Sequence, residues 1–431
     1  MEKQIQEFLS KNDYDIRKSH NGRWIDQKCT MDVLSVVADC ILEYLGDDIE
    51  KQFTTRDIWY SEYTIENVQS IFNKPNPKDK ATNEYDKWFG QPLKLLGYSK
   101  VLDEVKIGNK NVYKVKNIEI LKYIASRDRF AHKFLVMYIT KVLKDSEIYG
   151  YFEEFFEKQN KEYYSILREQ FFFFIQKHTR INGDLECGRI FTKVLNPLAF
   201  ELKKKGTAGG RISNFNITLD MLMYNRTNWR DEYNKKPKEI TREESERENS
   251  NANDKMSNYK INKAKKELRK YNTKYRGGLS EVRDDVDTGE LATHMHHIFT
   301  VAEFPVIACY IENLIALTPT QHFNYAHVNG NTNLINYKYQ RLCLIAKIGM
   351  IKENLSNDQL PKIYSFEDLC YVLNVGFRTN KFENVRDLDF ERILVYVDFM
   401  YGDSYNYNTD DEDEFLMVAE PNTNNYSLNE D

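Results

Sequence analysis

The chain has 431 residues, 41% apolar and 13% aromatic, which is enough for two to four domains with folded cores and excludes disorder throughout. No stretch approaches the roughly eighteen apolar residues of a membrane span, and Met1 to Lys18 lacks the apolar centre of a signal peptide, so a cytoplasmic protein without a membrane partner is expected. The net charge of −5 conceals a segregation: nine acidic and no basic residues lie beyond residue 402, leaving +4 on residues 1–402, and Lys255 to Arg276 carries nine basic residues against the single acid Glu267.

Met31 to Leu45 is an apolar-periodic helix, Thr54-Thr55 caps a short second one, and Thr64 to Phe72 suits a third. Tyr85 to Leu96 reads as an interrupted helix and Val101 to Val115 as a hairpin turning at Gly108-Asn109. Three helices and a hairpin have the order of a winged-helix module, which lays a helix in the DNA major groove and rests the hairpin on the backbone. A helical scaffold with one hairpin has the same order, so both readings stand for residues 1–117. The six cysteines (Cys29, Cys40, Cys187, Cys309, Cys343, Cys370) form no C-x-x-C pair, which excludes a zinc ribbon or disulfide framework and makes most of them buried thiols.

Residues 118–205 carry apolar residues at three- and four-residue spacing, a helical domain whose aromatics are core. His132 and His178 have no partner in sequence and read as structural. Next come Lys203, Lys204, Lys205 and Arg211 around three glycines. They suit a phosphate contact, because glycine lets the backbone approach closely, and equally suit a mobile solvated loop. The strand and spacing of a nucleotide-binding loop are missing, which rejects an ATP site.

Residues 206–285 read as a basic and polar linker with DNA contacts. The stretch REESERENSNANDKMSN is expected to be flexible. In the basic run after it, Lys263, Lys266 and Lys270 share one helix face and suit duplex phosphates, a solvated helix face being the plainer account.

Five of the eight histidines (His294, His296, His297, His322, His327) fall within 34 residues. Neutral imidazole is the commonest protein ligand for a divalent metal and the commonest general base near neutral pH, so this density reads as a site. Ala292 to Phe299 and Glu312 to Leu317 have strand-like patterns separated by a loop. Thr318-Pro319 then starts a helix, expected to stop near Asn329-Gly330.

The order resembles the HNH or ββα-metal nucleases, and within them the colicin-type DNases, whose pattern is a His-His pair on the first strand, an Asn, and a T-P-x-x-H helix start. Here these are His296-His297, Asn313 sixteen residues after His297, and Thr318-Pro319-Thr320-Gln321-His322, with Thr318 five and His322 nine residues after Asn313. The resemblance implies that His296 and His322 are metal ligands, that His297 is the general base, and that Asn313 pins the loop and so aims the base. One departure stands out. The colicin-type pattern has its last ligand four residues after the helix histidine, where this chain has Ala326, with His327 next. On a regular helix five residues turn a side chain by about 140° and four by about 40°, so His327 joins the metal only if the helix widens there. Otherwise it touches the phosphate or a water. His294, two residues before the pair, shares a strand face with His296 and reads either as support for the ligands or as a phosphate contact.

The resemblance further implies one divalent ion, Mg²⁺ in the cell with Mn²⁺, Ni²⁺ or Zn²⁺ as nitrogen-accepting alternatives. It implies double-stranded DNA as substrate and, given the large portion ahead of residues 286–345, the architecture of an HNH-type Type II restriction endonuclease. A companion DNA methyltransferase and a homodimer are the partners to expect. Residues 346–402 read as a helical region and 403–431 as an acidic disordered tail. The expected fold class is mainly α with small β elements: a multidomain helical scaffold, a winged-helix candidate at the amino end, and a ββα-metal catalytic unit. The competing function is a winged-helix regulator or adaptor whose histidine cluster is inactive.

Overall fold

The computed structural model describes residues 1–72, 77–78, 82–224, 242–283, 289–327, 334–402 and 416–417. The described chain is mainly helical with small antiparallel sheets, and it divides into two compact units, Met1–Ala252 and Asn253–Asp431. No helix among the described residues is long and apolar enough to cross a membrane.

Unit 1 begins with α1 (Glu2–Ser10), α2 (Ile16–Ser19) and α3 (Met31–Leu45). Helix α3 buries apolar side chains on nearly every turn, including Val33, Leu34, Val37 and Ile41, and stops at Gly46, whose φ of 55° few other residues adopt. Strand β1 (Phe53–Thr54) leads into α4 (Thr55–Trp59) through a reciprocal cap: the Asp57 N–H donates to Thr54 Oγ1 and the Thr54 N–H to Asp57 Oδ2. After α5 (Glu62–Phe72) and α6 (Thr82–Tyr98), which contains Pro92, the expected hairpin follows as β2 (Leu102–Ile107) and β3 (Lys110–Val115). It turns at Gly108 (φ 59°), and β1 pairs with the far edge of β3, giving the order β1-β3-β2.

Helices α7 (Ile118–Ser126), α8 (Asp128–Asp145), α9 (Tyr149–Lys158), α10 (Lys161–His178) and α11 (Asp184–Glu201) follow. Helices α7 and α8 pack on α3, so residues 1–117 and 118–205 share one unit. His132 is buried on α8 with Nε2 3.1 Å from Glu201 Oε2, the structural role expected.

Two expectations are corrected here. Lys203 to Arg211 is an ordered hairpin, β4 (Lys205–Ala208) and β5 (Arg211–Asn216), so a domain boundary at residue 206 would cut a strand. Its glycines answer to the fold. Gly209 and Gly210 take φ of 58° and 78° at the turn, and a Cβ on Gly206 would stand 2.5 Å from Asn196 Oδ1. Lys203 and Arg211 are exposed while Lys204 and Lys205 are half-buried. The stretch expected to be a flexible linker lies, after a short helix α12 (Leu219–Leu222), within α13 (Arg242–Arg276). Its composition is almost wholly polar and charged, which is why it read as linker, but it contains no helix-breaking proline or glycine.

In unit 2 the core unites Ala264, Leu268 and Tyr271 of α13 with Met295 and Leu314 to Leu317 of a two-stranded sheet and with three later helices. The strands are β6 (His294–His297) and β7 (Leu314–Leu317), the helices α14 (Tyr337–Ser356), α15 (Phe366–Gly376) and α16 (Phe390–Gly402). A boundary at residue 346 would fall inside α14, so the expected catalytic and carboxy-terminal regions form a single packed body. The acidic tail lies outside the described residues except β9 (Leu416–Met417), which pairs antiparallel with β8 (Leu334–Ile335).

Candidate metal centre

Strands β6 and β7 run antiparallel, with His294 opposite Leu317, His296 opposite Ile315 and His297 opposite Leu314. Every side chain of β7 is apolar and fully buried, while along β6 His294 and His296 share one face and Met295 and His297 the other. The far side of β7 is gripped by Glu281, whose backbone N–H donates to the Ala316 carbonyl and whose Oε2 accepts from the Ala316 N–H at 3.0 Å. Glu281 Oε2 is paired at 2.7 Å with Lys347, both side chains fully buried, and Lys347 donates to the Tyr364 hydroxyl at 3.0 Å. This network is not legible in the sequence, because Glu281 stands 35 residues from Ala316 and 83 from Tyr364.

Beyond β7, Thr318 and Gln321 cap the next turn reciprocally, Gln321 N–H to Thr318 Oγ1 and Thr318 N–H to Gln321 Oε1, both at 3.1 Å. The helix start expected at Thr318-Pro319 is therefore present. From Gln321 to Ala326 it takes the wide π form, closed by a bond from the His327 N–H to the His322 carbonyl at 3.1 Å. This supplies the loosening that His327 required. Closing each turn over five residues stacks His327 above His322. The expected stop at Asn329-Gly330 lies outside the described residues.

His296, His322 and His327 consequently converge, one ring nitrogen from each lying within 4.8 Å of the others. The His296 ring is 5.2 Å from that of His322 and 4.9 Å from that of His327. Nitrogens bound to one ion at about 2.0–2.1 Å would be roughly 3.3 Å apart, a small closure of the three rings. The donor set fits such an ion. It is all imidazole, and His322 Nδ1 is buried with no hydrogen-bond partner. Burial, then the neighbouring histidines and Lys265, hold His296 well below the usual histidine range and His322 at about 3. The His296 and His322 rings are thus neutral at pH 7, with lone pairs available for a cation.

His294 stands beside the triad rather than in it. Its ring stacks on His322 with centroids 4.7 Å apart, and Nδ1 is 3.1 Å from Thr293 Oγ1. Of the two roles open for it, the contact matches support of a ligand.

His297 ends β6 and turns to the loop, where Nε2 lies 3.0 Å from the Ala308 carbonyl. A carbonyl only accepts, so Nε2 carries the hydrogen and the neutral ring keeps its basic lone pair on Nδ1. Burial, then Lys265, depress its pKa to about 4. Asn313, fully buried, ties the loop ends together: Oδ1 accepts from the Phe299 N–H at 2.8 Å, and Nδ2 donates to the Phe299 carbonyl at 2.9 Å and the Ile307 carbonyl at 3.4 Å. The loop that carries Ala308 is the loop that Asn313 closes.

On α13, Lys263 is half-buried and Lys266 and Lys270 are exposed on one side of the helix. Lys265 and Arg269 belong to the basic run that the sequence offers to duplex phosphates, but nothing in the sequence sets them apart from its other members. Lys265 acts electrostatically on His296, His297 and His322, while Arg269 Nη2 donates to the Thr293 carbonyl at 3.2 Å. Their spacing of four was a legible signal, hidden among seven other basic residues in the same run. The six cysteines form no disulfide, five being buried and Cys309 half-buried. Comparison of the chain with protein-family models, with curated proteins and with solved structures finds no match.

Proposed function

We propose that this protein is a metal-dependent DNA endonuclease of the HNH, or ββα-metal, type, cutting phosphodiester bonds of duplex DNA in the manner of a Type II restriction enzyme. The observation that carries the reading is the convergence of His296, His322 and His327 next to a fourth histidine, His297, whose tautomer is fixed by the Ala308 carbonyl. A purely structural cluster has no use for a base held in one tautomer beside a ligand set.

In this reading His296, His322 and His327 hold one divalent ion, which would stabilise charge on the pentavalent phosphate and the departing 3′ oxygen. His297 accepts a proton at Nδ1 from the attacking water, and Asn313 keeps the loop, and with it the imidazole, in place. The nitrogen-only set favours Mn²⁺, Ni²⁺ or Zn²⁺ on ligand chemistry, and Mg²⁺ by abundance in a cell. The order of α3, β1, α4 to α6 and the hairpin in unit 1 suits a winged helix that would read sequence. A companion methyltransferase and a homodimer belong to the same proposal.

The test is cleavage of supercoiled plasmid. Chelator-treated protein should be inactive and recover with added divalent ion, and His297→Ala should bind duplex while cutting about 10² more slowly. Full activity of either the chelated protein or the variant would refute the mechanism. The winged-helix order of unit 1 also suits a regulator, which predicts duplex binding with no metal-dependent cutting at all.

A further inference from the structure

Helix α13 presents two cationic rows. With 100° per residue, Lys263, Lys266 and Lys270 lie within about 60° of one another, while Lys265 and Arg269 are about 40° apart and centred roughly 110° from that row. The apolar side of the helix, Ala264, Leu268 and Tyr271, is buried in the core of unit 2, which fixes the rotation of the helix about its axis. Lys265 and Arg269 flank that buried side.

The bond from Arg269 to the Thr293 carbonyl locates this second row, since Thr293 directly precedes the strand carrying His294 and His296. Lys265 is one turn, about 6 Å, further along the same flank. Arg269 is exposed, and a guanidinium that gives one N–H to Thr293 retains others. The ligand triad contains no carboxylate. Glu290 accepts from Thr320 Oγ1 at 3.2 Å and adds no oxygen to it. Among the described residues the centre, once loaded, would therefore carry net positive charge, suited to an anion.

We infer that Lys265 and Arg269 are the positioning residues that hold the nucleic-acid backbone phosphate at the histidine centre. This rests on the nuclease reading. Lys265 supplies a point charge and Arg269 a fork of donors for the phosphate oxygens, while the Lys263, Lys266 and Lys270 row is set apart from the reacting bond.

The experiment uses the full chain and four variants, K265Q, K265R, R269Q and R269K. Metal loading is followed by the visible absorption of bound Co²⁺, and function by plasmid cleavage with Mn²⁺ across a salt series. K265Q and R269Q should leave the Co²⁺ spectrum as in the parent, raise KM for duplex about tenfold, and make log affinity against log salt shallower by about 0.9 each. K265R and R269K should restore most of the loss, since each keeps the charge. Unchanged KM and salt slope in K265Q and R269Q would overturn the inference, as would loss of the Co²⁺ spectrum, which would make these side chains structural. If the parent binds Co²⁺ yet neither binds nor cuts duplex, the nuclease reading fails first and the clamp with it.

Discussion

Replacing Asn313 by Ala tests the loop on which the proposed base depends, and its cost follows from the contacts. Two short hydrogen bonds, at 2.8 and 2.9 Å, and a long one at 3.4 Å are lost, and the Phe299 N–H and carbonyl are left in an environment where Phe299 is 2% exposed. A buried group stripped of its partner costs about 1–3 kcal/mol, so two such groups place the loss at about 3–5 kcal/mol after partial relaxation. Asn313→Asp should be no milder. It keeps the acceptor for the Phe299 N–H but sets a carboxylate oxygen against the Phe299 carbonyl. Tryptophan fluorescence cannot report this, because Trp24, Trp59, Trp88 and Trp229 all precede residue 253, where unit 2 begins. Hydrogen exchange of peptides spanning residues 290–320 is the appropriate measurement, and it should show the Phe299 amide exchanging by a local opening. The side chain of Asn313 bonds only to the backbone of residues 299 and 307, so Co²⁺ binding should persist while cutting falls by about 10², the typical effect of a misplaced group. An Asn313→Ala protein with parental exchange in this segment would refute the argument.

Divalent ion at about 100 times its Kd should stabilise unit 2 by about 2.7 kcal/mol, and His296→Ala should abolish that gain; a metal-induced shift that survives the substitution would place the ion elsewhere. Deleting exposed Asn324 restores a spacing of four, so the π turn should become α-helical and still bring both histidines to the ion, whereas A326H/H327A, which moves the ligand without shortening the turn, should lose Co²⁺ binding. The opposite ranking would show that the wide turn does not place His327. In the metal-free protein the folded-state pKa of His297 (about 4) lies below the unfolded value of 6.5. The unfolded chain then binds more protons between these values, and stability should be flat above about pH 6.5 and fall below it by up to about 1.4 kcal/mol per pH unit for this group; a melting temperature that rises on acidification through that window would contradict the burial argument. Replacing Lys263, Lys266 and Lys270 together by Gln should weaken binding to all DNA sequences alike and flatten the salt dependence by about 0.9 per lost contact, with target discrimination retained; an unaltered slope would make that row a solvated face.

The strands, the capped turn and the histidine convergence were legible because each depends on near neighbours: short apolar patterns around Met295 and over Leu314 to Leu317, a Thr-Pro start, and an Asn at the end of the loop between the strands. The condition on His327 was legible as well, since helix geometry stated what the turn had to do. The π form itself was not, because it reflects the buried positions of Gln321 and Ala326 on either side of exposed Phe323, Asn324 and Tyr325. Composition misled where it stood in for structure. KKKGTAGGR looked like a phosphate loop, yet Gly206 is there because Asn196 and Ile217 crowd it. The charged stretch before Lys260 looked like a linker, yet nothing in it breaks a helix. The choice between the two cationic rows of α13 needed the packed side of the helix, which is a tertiary fact.

The absence of a carboxylate from the ligand triad also bears on how unit 2 tolerates it. Burying charged groups costs several kcal/mol each unless they are paired, whereas neutral imidazoles titrating well below 7 can be buried together at little electrostatic cost. One buried charge pair of unit 2, Lys347 against Glu281 at 2.7 Å, shows the pairing, and Tyr364 serves both partners, accepting from Lys347 and donating to Glu281 Oε1 at 3.3 Å. Breaking such a pair from one side costs about 3–5 kcal/mol, because the remaining charge stays buried. Since Glu281 also bonds the Ala316 N–H at the centre of β7, that loss would be felt in the strand directly opposite Met295, between His294 and His296. If the proposed centre holds an ion, its affinity and the stability of unit 2 would both depend on one strand, paired on one edge with the histidine strand and bonded on the other by the Glu281 carboxylate.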